Sequence, residues 1–458
     1  MKKIYFLGIG GIGMSALARL FLHEGCLVAG YDRTRTPLCE ALEQEGCAIH
    51  YEESVDLIPE AFRNPKDTLV VYTPAVPTDH PEYQWFQEQG FTIEKRSQML
   101  GHLTEGKVVM AVAGTHGKTT TSTLVAWLNH AAAGGGSAIL GGISKNFSSN
   151  LVLGQGERMT VEADEFDRSF LRLKPDVAVV TSADPDHLDI YGTYEAMKEA
   201  FSDFISLIKP GGALILKHGV ELAVRNEQIT CYRYAYDTPC DFYAHRIRLQ
   251  EGGHYLFDLV LPDGELTDCT LGIPGWVNIE NAVAAVASLW CVARQEGKPF
   301  DGEAVKGALA TFSGVKRRFE FYLNTPRQVY MDDYAHHPRE LAAAITSVKR
   351  MFPGRRLLAL FQPHLYTRTR DLYEEFAEAL SLADEVVVLP IYPAREEPIE
   401  GVTSHLIAER VTVPCRIIDR PELAREVGAM ATDVMVSFGA GNIDACCAAL
   451  AAELQKKA

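Results

Sequence analysis

Short apolar runs recur along the chain, each closed by a glycine-rich or polar turn and followed by apolar residues at helical spacing. Residues 4–9 (Ile-Tyr-Phe-Leu-Gly-Ile) read as a strand, Met14 to His23 as a helix, and Leu27 to Tyr31 as a second strand ending at Asp32. The alternation continues to about residue 105, with a further strand from Leu69 that runs into the loop before Pro77. A second series opens with the apolar run Lys107 to Ala113, a turn, and a helical stretch from Ser122 to His130. It continues through a strand at Val177 to Thr181 and a helix from Tyr194 to Ile208. Residues 228–272 differ: short alternating segments with Asp-Gly and Gly-Gly turns predict antiparallel strands. A third series starts near 323, with strands at 328–331, 356–361, 385–389 and 434–437 between helical stretches. Repeated strand–helix alternation predicts α/β architecture.

Composition narrows the class. A length of 458 residues suits about three domains, and 47% hydrophobic residues suffice for well-formed cores. The formal charge of −16 argues against a general nucleic-acid or membrane-surface binder, so an anionic ligand needs a local basic site. The ten cysteines form no Cys-x-x-Cys pair, and only Cys446 and Cys447 are adjacent, which predicts buried thiols in a reducing, cytoplasmic setting. Lys2-Lys3, an apolar run and Ala16-Leu17-Ala18 imitate a signal peptide, but Gly8, Gly10, Gly11 and Gly13 interrupt the run. No stretch of about 18 uninterrupted apolar residues occurs, so no membrane insertion is expected.

The interrupting glycines have their own reading. Gly8-x-Gly10-x-x-Gly13 lies between strand and helix, and Asp32 follows at the distance a Rossmann-like unit requires. The glycines permit a tight turn and close backbone approach, while the acid can accept hydrogen bonds from a ribose or base. Gly114-Thr-His-Gly-Lys-Thr-Thr-Thr121 is the more specific signal. After a strand and before a helix, its backbone N–H groups can cradle an anion. Lys118 can then reach β/γ-phosphates and the Thr119 hydroxyl can hold Mg²⁺, although Val112 stands where the full pattern has glycine.

Four groups accompany this loop. Val161-Glu-Ala-Asp-Glu-Phe-Asp167 packs four acids into six residues, and Glu162, at a strand end, could face the Mg²⁺ on Thr119. Asp184-Pro-Asp-His-Leu-Asp189 follows another strand, where His187 and flanking acids could bind a second metal or orient substrate. Gly314-Val-Lys-Arg-Arg-Phe319 offers paired arginines that could grip phosphate or form a solvated patch. Asp332-Asp-Tyr-Ala-His-His-Pro338 and Phe361-Gln-Pro-His-Leu-Tyr-Thr-Arg368 gather His, Tyr and charge at two strand ends.

In order, these motifs resemble the landmarks of the Mur ligases of peptidoglycan synthesis over essentially the whole chain, and most of all those of the alanine-adding branch. The resemblance implies three domains: a Rossmann-like N-terminal domain (1–105) for the nucleotide sugar, a central P-loop ATPase-like α/β domain with added antiparallel strands (106–322) for ATP, and a Rossmann-like C-terminal domain (323–458) closing over ATP and amino acid. It implies an ATP-dependent amide-forming ligase with UDP-N-acetylmuramate, L-alanine and ATP as substrates, Mg²⁺ as cofactor, and a monomer or homodimer as the working form. A recycling ligase that joins a tripeptide to the same nucleotide sugar is the alternative within the family. By the same resemblance, Gly8, Gly10, Gly11, Ile12, Gly13 and Asp32 receive the nucleotide sugar. Gly114, Thr115, His116, Gly117, Lys118, Thr119 and Thr120 bind ATP together with Asn278, Asn281, Arg318, Asp333 and His336. Thr119, Glu162 and His187 hold metal, and Tyr334, His364 and Arg368 take the amino acid. Lys118, Glu162, His187 and Arg368 carry the chemistry, with His187, His336 and His364 all open as the base.

The chain departs from the family pattern at Tyr31, Val277 and Leu365, where Ser, His and Arg are common. Leu365 leaves the amino-acid carboxylate to Arg368 or Arg370. Phe201 stands where sister ligases carry a carbamylated lysine, so none is expected.

Overall fold

The computed structural model describes residues 2–185, 188–394, 396–430 and 432–456. Three sheets carry the fold. The first contains β1 (Lys3–Leu7), β2 (Leu27–Tyr31), β3 (Ala48–His50), β4 (Thr68–Tyr72) and β5 (Thr92–Lys95), all parallel, in the order β3-β2-β1-β4-β5. The order reverses at β1, and open α/β sheets bind ligands at that switch point, outside the carboxyl ends of the strands. The helix Ile12–His23 starts there and buries Met14, Leu17 and Phe21. The sequence places its start two residues later and lets β1 run to residue 9. In fact Gly8, at φ +86°, ends the strand and turns the chain.

The second sheet holds β6 (Val108–Ala113), β7 (Ser137–Ser144), β8 (Ser149–Val152), β9 (Arg158–Glu162), β10 (Val177–Val180), β11 (Ala213–Lys217), β12 (Thr230–Ala235), β13 (Phe242–Leu249), β14 (Tyr255–Leu261) and β15 (Gly264–Thr270). Its order is β15-β14-β13-β12-β11-β10-β6-β9-β7-β8. Strands β7, β9, β6, β10 and β11 form a parallel core. The expectation that 228–272 is antiparallel is corrected for its first two strands, since β12 runs parallel to β11 and β13 runs parallel to β12. Only β14 and β15, joined by two residues, form the tight hairpin that the turn chemistry suggests. The helix after β6 spans Lys118–Ala132, four residues more at its start than apolar spacing indicates. Its first turns bury Thr119, Thr120, Thr121, Ser122 and Thr123, a polar face that hydrophobic periodicity cannot register.

The third sheet contains β16 (Glu320–Asn324), β17 (Val329–Asp333), β18 (Leu357–Phe361), β19 (Glu385–Val388), β20 (Cys415–Ile417) and β21 (Val434–Phe438), in the order β16-β17-β21-β18-β19-β20. All its pairings are parallel except that of β16 with β17. The chain divides into two compact units: residues 1–245, 259–266 and 280–313, and residues 246–258, 267–279 and 314–458. Among the described residues one helix, Trp276–Gln295, is long and apolar enough to cross a membrane, and 89% of its apolar window is buried inside the fold.

Candidate functional site

The phosphate loop leaves the carboxyl end of β6 between two neighbours. Register sets Val112 opposite Glu162 of β9 and Ala113 opposite Val180 of β10. Gly114 therefore emerges between Glu162 and Thr181. Its φ is +135°, and a Cβ there would stand 2.1 Å from the Thr181 Oγ1. Only glycine fits so close to a neighbouring strand. Gly117, at φ +80°, starts the helix Lys118–Ala132 and faces Asn281 Oδ1, which also accepts from the Thr121 hydroxyl at 3.1 Å.

Three residues beyond the motif fix the loop's shape. Ser182 Oγ accepts from the His116 N–H at 2.8 Å and lies 3.0 Å from the Thr115 hydroxyl, while Thr181 Oγ1 donates to the Ala113 carbonyl at 3.1 Å. The Asp184 N–H donates to Thr115 Oγ1 at 3.1 Å, and its carboxylate lies 3.7 Å from His116 Nε2. The loop is thus held from behind, with the start of the helix left to direct its N–H groups at an anion.

Lys118 reaches back across the loop. Its ammonium donates to the Gly114 carbonyl at 2.6 Å and to Glu165 Oε1 at 2.8 Å. Burial pushes the Glu165 carboxyl above its ordinary range, against the pull of Lys118. Burial also opposes charge on Lys118, but Glu165, Asp164 and Glu162 outweigh it and raise its pKa, so the ammonium stays charged. Sequence reasoning missed Glu165, because four acids in six residues do not reveal which one turns inward.

Glu162 closes β9 and faces a cavity of about 230 Å³ lined by Gly11, Gly13, Arg96, Gly141 and Asp164 among others. A Cβ on Gly141 would meet the Glu162 carboxylate at 2.3 Å, and one on Gly13 would meet Arg96 at 2.8 Å. Arg96 donates to Asp164 at 3.2 Å. The cavity therefore joins the glycine loop after β1 to the acidic end of β9, a juxtaposition no local motif announces. Thr119, buried at the helix start, and Glu162 supply the oxygen donors that a hard divalent cation prefers. His187 and Asp186, expected beside them, lie outside the described residues.

In the first sheet, Asp32 is occupied by the loop it follows. Its carboxylate accepts from the Gly10 N–H at 2.8 Å and the Thr34 N–H at 3.1 Å. A Cβ on Gly10 would stand 2.4 Å from Cys39 Sγ and 2.8 Å from Asp32 Oδ2. Gly11 precedes the helix that begins at Ile12, which is 36% exposed beside Gly13.

The second unit gathers its candidates at the carboxyl ends of β17, β21 and β18, where Asp333, Phe438 and Phe361 stand in register. The two arginines divide. Arg317 is built into the scaffold: Nε donates to Asp332 at 3.0 Å, Nη1 to the Gly441 carbonyl at 3.0 Å, and Nη2 to the Gly439 carbonyl. The expectation of a paired phosphate grip is corrected to this extent, and only Arg318, over the Tyr334 ring at 5.1 Å, is not held by such a set. Asp333 accepts from the Phe319 and Ala335 N–H groups, each at 2.9 Å, and burial pushes its carboxyl up to about 6. Burial lowers His336 to about 4, with Glu340 opposing and Arg368 and Arg318 adding to the shift. Its ring lies 5.4 Å from Tyr334 and 6.3 Å from His364. His364 stacks on Tyr392 at 5.7 Å, a partner the sequence did not suggest. Of the two arginines left open for a carboxylate, Arg370 pairs with Asp371 at 2.7 Å at the surface, whereas Nη1 of Arg368 is buried with no hydrogen-bond partner. Asn278 donates to the Pro274 carbonyl at 2.6 Å within this unit.

Parallel α/β sheets with a lysine-bearing phosphate loop at the carboxyl end of a strand define a class of nucleoside-triphosphate-using proteins. Family models specify it further: the Mur ligase family catalytic domain matches residues 3–108, the Mur ligase middle domain 112–289, and the Mur ligase glutamate ligase domain 317–441. The chain belongs to the Mur ligase family. It is 51% identical over 447 residues to the UDP-N-acetylmuramate–L-alanine ligase of Parabacteroides distasonis, covering 97% of this chain and 95% of that protein. It is 50% identical to the protein of the same name from Phocaeicola vulgatus, covering 97% and 96%. The crystal structure of a UDP-N-acetylmuramate–alanine ligase from Thermotoga maritima superposes with a TM-score of 0.82 at 26% identity over 100% of both chains. A murein peptide ligase from Psychrobacter arcticus superposes at 0.70 with 22% identity over 99% of each chain, a likeness of fold alone.

Proposed function

We propose that this chain joins L-alanine to UDP-N-acetylmuramate in an ATP-dependent step of peptidoglycan precursor synthesis. The observation that carries this reading is full-length identity of about half to relatives that bear that activity in their names. The phosphate loop after β6 supports it with the chemistry such a step needs.

A carboxylate is a poor electrophile, since its charge repels an amine and oxide is a poor leaving group. Transfer of the γ-phosphoryl group to the muramate carboxylate gives an acyl phosphate. The amine of alanine then attacks, and the tetrahedral intermediate expels phosphate. The first transfer depends on charge neutralisation and alignment more than on covalent help. Lys118 and the backbone N–H groups at the start of its helix supply both. Thr119 and Glu162 would hold Mg²⁺, which contributes neutralisation of phosphate charge when bound.

Residues 1–105 take the nucleotide sugar through the Gly8–Gly13 loop, residues 106–322 take ATP, and residues 323–458 carry the amino-acid site. There Arg368, with its unpaired buried Nη1, suits the alanine carboxylate. Tyr334 and His364 flank it, and Arg318, Asp333, His336, Asn278 and Asn281 serve the nucleotide.

Phosphate release with ATP, Mg²⁺ and UDP-N-acetylmuramate, across L-alanine, glycine, L-serine and a murein tripeptide, tests the reading. Release that depends on L-alanine, with the alanyl amide found by mass, is the expected result. Release with the tripeptide alone moves the chain to the recycling reaction, and no release with any acceptor overturns the proposal.

A further inference from the structure

An ammonium has three protons to donate. Lys118 gives one to the Gly114 carbonyl and one to Glu165, which leaves a single proton for a ligand. Glu165 is not a mobile surface acid. Its side chain is fully buried, its carbonyl accepts from the Tyr191 hydroxyl at 2.6 Å and the Arg168 N–H at 2.9 Å, and Asp167 and Arg168, two and three residues on, take φ of 52° and 54°. Its second oxygen, Oε2, is buried without a hydrogen-bond partner. A carboxylate kept in the interior with one bare oxygen is costly, and packing alone would favour an apolar side chain.

We propose that Glu165 is a positioning residue for the phosphate-loop lysine: with the Gly114 carbonyl it fixes two of the three ammonium protons, so the third is aimed into the cradle. The inference rests on the reading that ATP occupies this loop. It gives Glu165 a task separate from that of Glu162, whose carboxylate faces Gly141 and the cavity. A consequence follows for binding. The pair is neutral before nucleotide arrives, so the phosphates must share the ammonium with Glu165, and ground-state affinity is held down. Alignment, in contrast, acts on the transferring phosphoryl group and therefore on kcat.

Two variants separate these effects. Glu165→Gln keeps shape and an acceptor oxygen but removes the charge. Glu165→Ala removes both. ATP affinity is measured directly on the full chain without the other substrates, and kcat in the alanine-dependent assay. Glu165→Gln should bind ATP about fivefold more tightly, as expected for release from a partly screened ion pair. Glu165→Ala should lose about tenfold or more in kcat without weaker binding, and Glu165→Gln should recover most of that loss. Parallel loss of affinity and kcat with a lower Tm in Glu165→Gln would make Glu165 a packing residue and overturn the proposal, as would unchanged affinity. Because the isosteric variant carries the test, misfolding of Glu165→Ala leaves it decidable. Wild-type phosphate release checks the underlying reading independently.

Discussion

The phosphate cradle after β6 and the cluster after β17, β18 and β21 solve one problem in different ways. Both place charged groups at the carboxyl ends of parallel strands. The cradle is made chiefly by backbone: two glycines at positive φ, a helix start, and a lysine whose partners lie within the loop and one neighbouring segment. The C-terminal cluster is made by side chains from distant segments, with Arg317 tying Asp332 to Gly439 and Gly441 while Arg318 and His336 pack against Tyr334. A backbone site should fail sharply when its geometry changes. A side-chain site should separate into residues that hold it together and residues that use it.

The largest effect is expected in the cradle. Lys118→Ala should lower kcat by about 10²–10³-fold, the scale of removing one preorganised electrostatic contact, and should also lower Tm, because it leaves the Glu165 carboxyl buried without its partner. Gly114→Ala should abolish nucleotide binding, because its methyl would overlap Thr181 Oγ1 and its φ of +135° is strained for alanine. Near-normal ATP binding by that variant, measured by calorimetry, would break the backbone half of the comparison.

Arg317 and Arg318 sharpen the other half. Arg317→Ala leaves Asp332 buried and unpaired, so unfolding by denaturant should show a loss of about 3–5 kcal/mol. Arg318→Ala should keep its stability and raise the KM for ATP instead. Equal stability losses would mean that the division between scaffold and working residues is wrong.

Acid provides a smaller test. His336, held near 4 by burial, stays neutral in the folded state while the unfolded chain takes up a proton below about 6.5. Its contribution is therefore present above 6.5 and lost as pH falls toward 4. Asp333 works in the opposite sense: its carboxyl, raised to about 6, favours the fold below its ordinary 3.8 and gives up that contribution as pH rises through 6. The gap in Tm between wild type and His336→Gln should shrink as pH is lowered from about 6.5 to about 4. A gap that widens would contradict a buried neutral imidazole. Smallest of all, Asp32→Asn should raise the KM for the nucleotide sugar modestly, since an amide oxygen can still accept from the Gly10 N–H.

The strand–turn–helix units, the three-sheet α/β plan, the two glycine loops and the place of Glu162 at a strand end were all legible in the chain. Hydrophobic spacing and glycine positions report local backbone conformation, which neighbours in sequence largely decide. Tertiary structure decided among chemically equivalent residues. It turned Glu165 inward to Lys118, committed Arg317 to the scaffold, and left Arg368 with a buried Nη1 that makes no hydrogen bond. It also brought Thr181 and Ser182 behind the phosphate loop, Tyr392 onto His364, and β12 parallel to β11. Burial and partnership of a polar or charged group depend on groups 15 to 160 positions away, as in Arg317 with Asp332 and Thr121 with Asn281, and no local pattern records which of two adjacent acids or arginines will meet them.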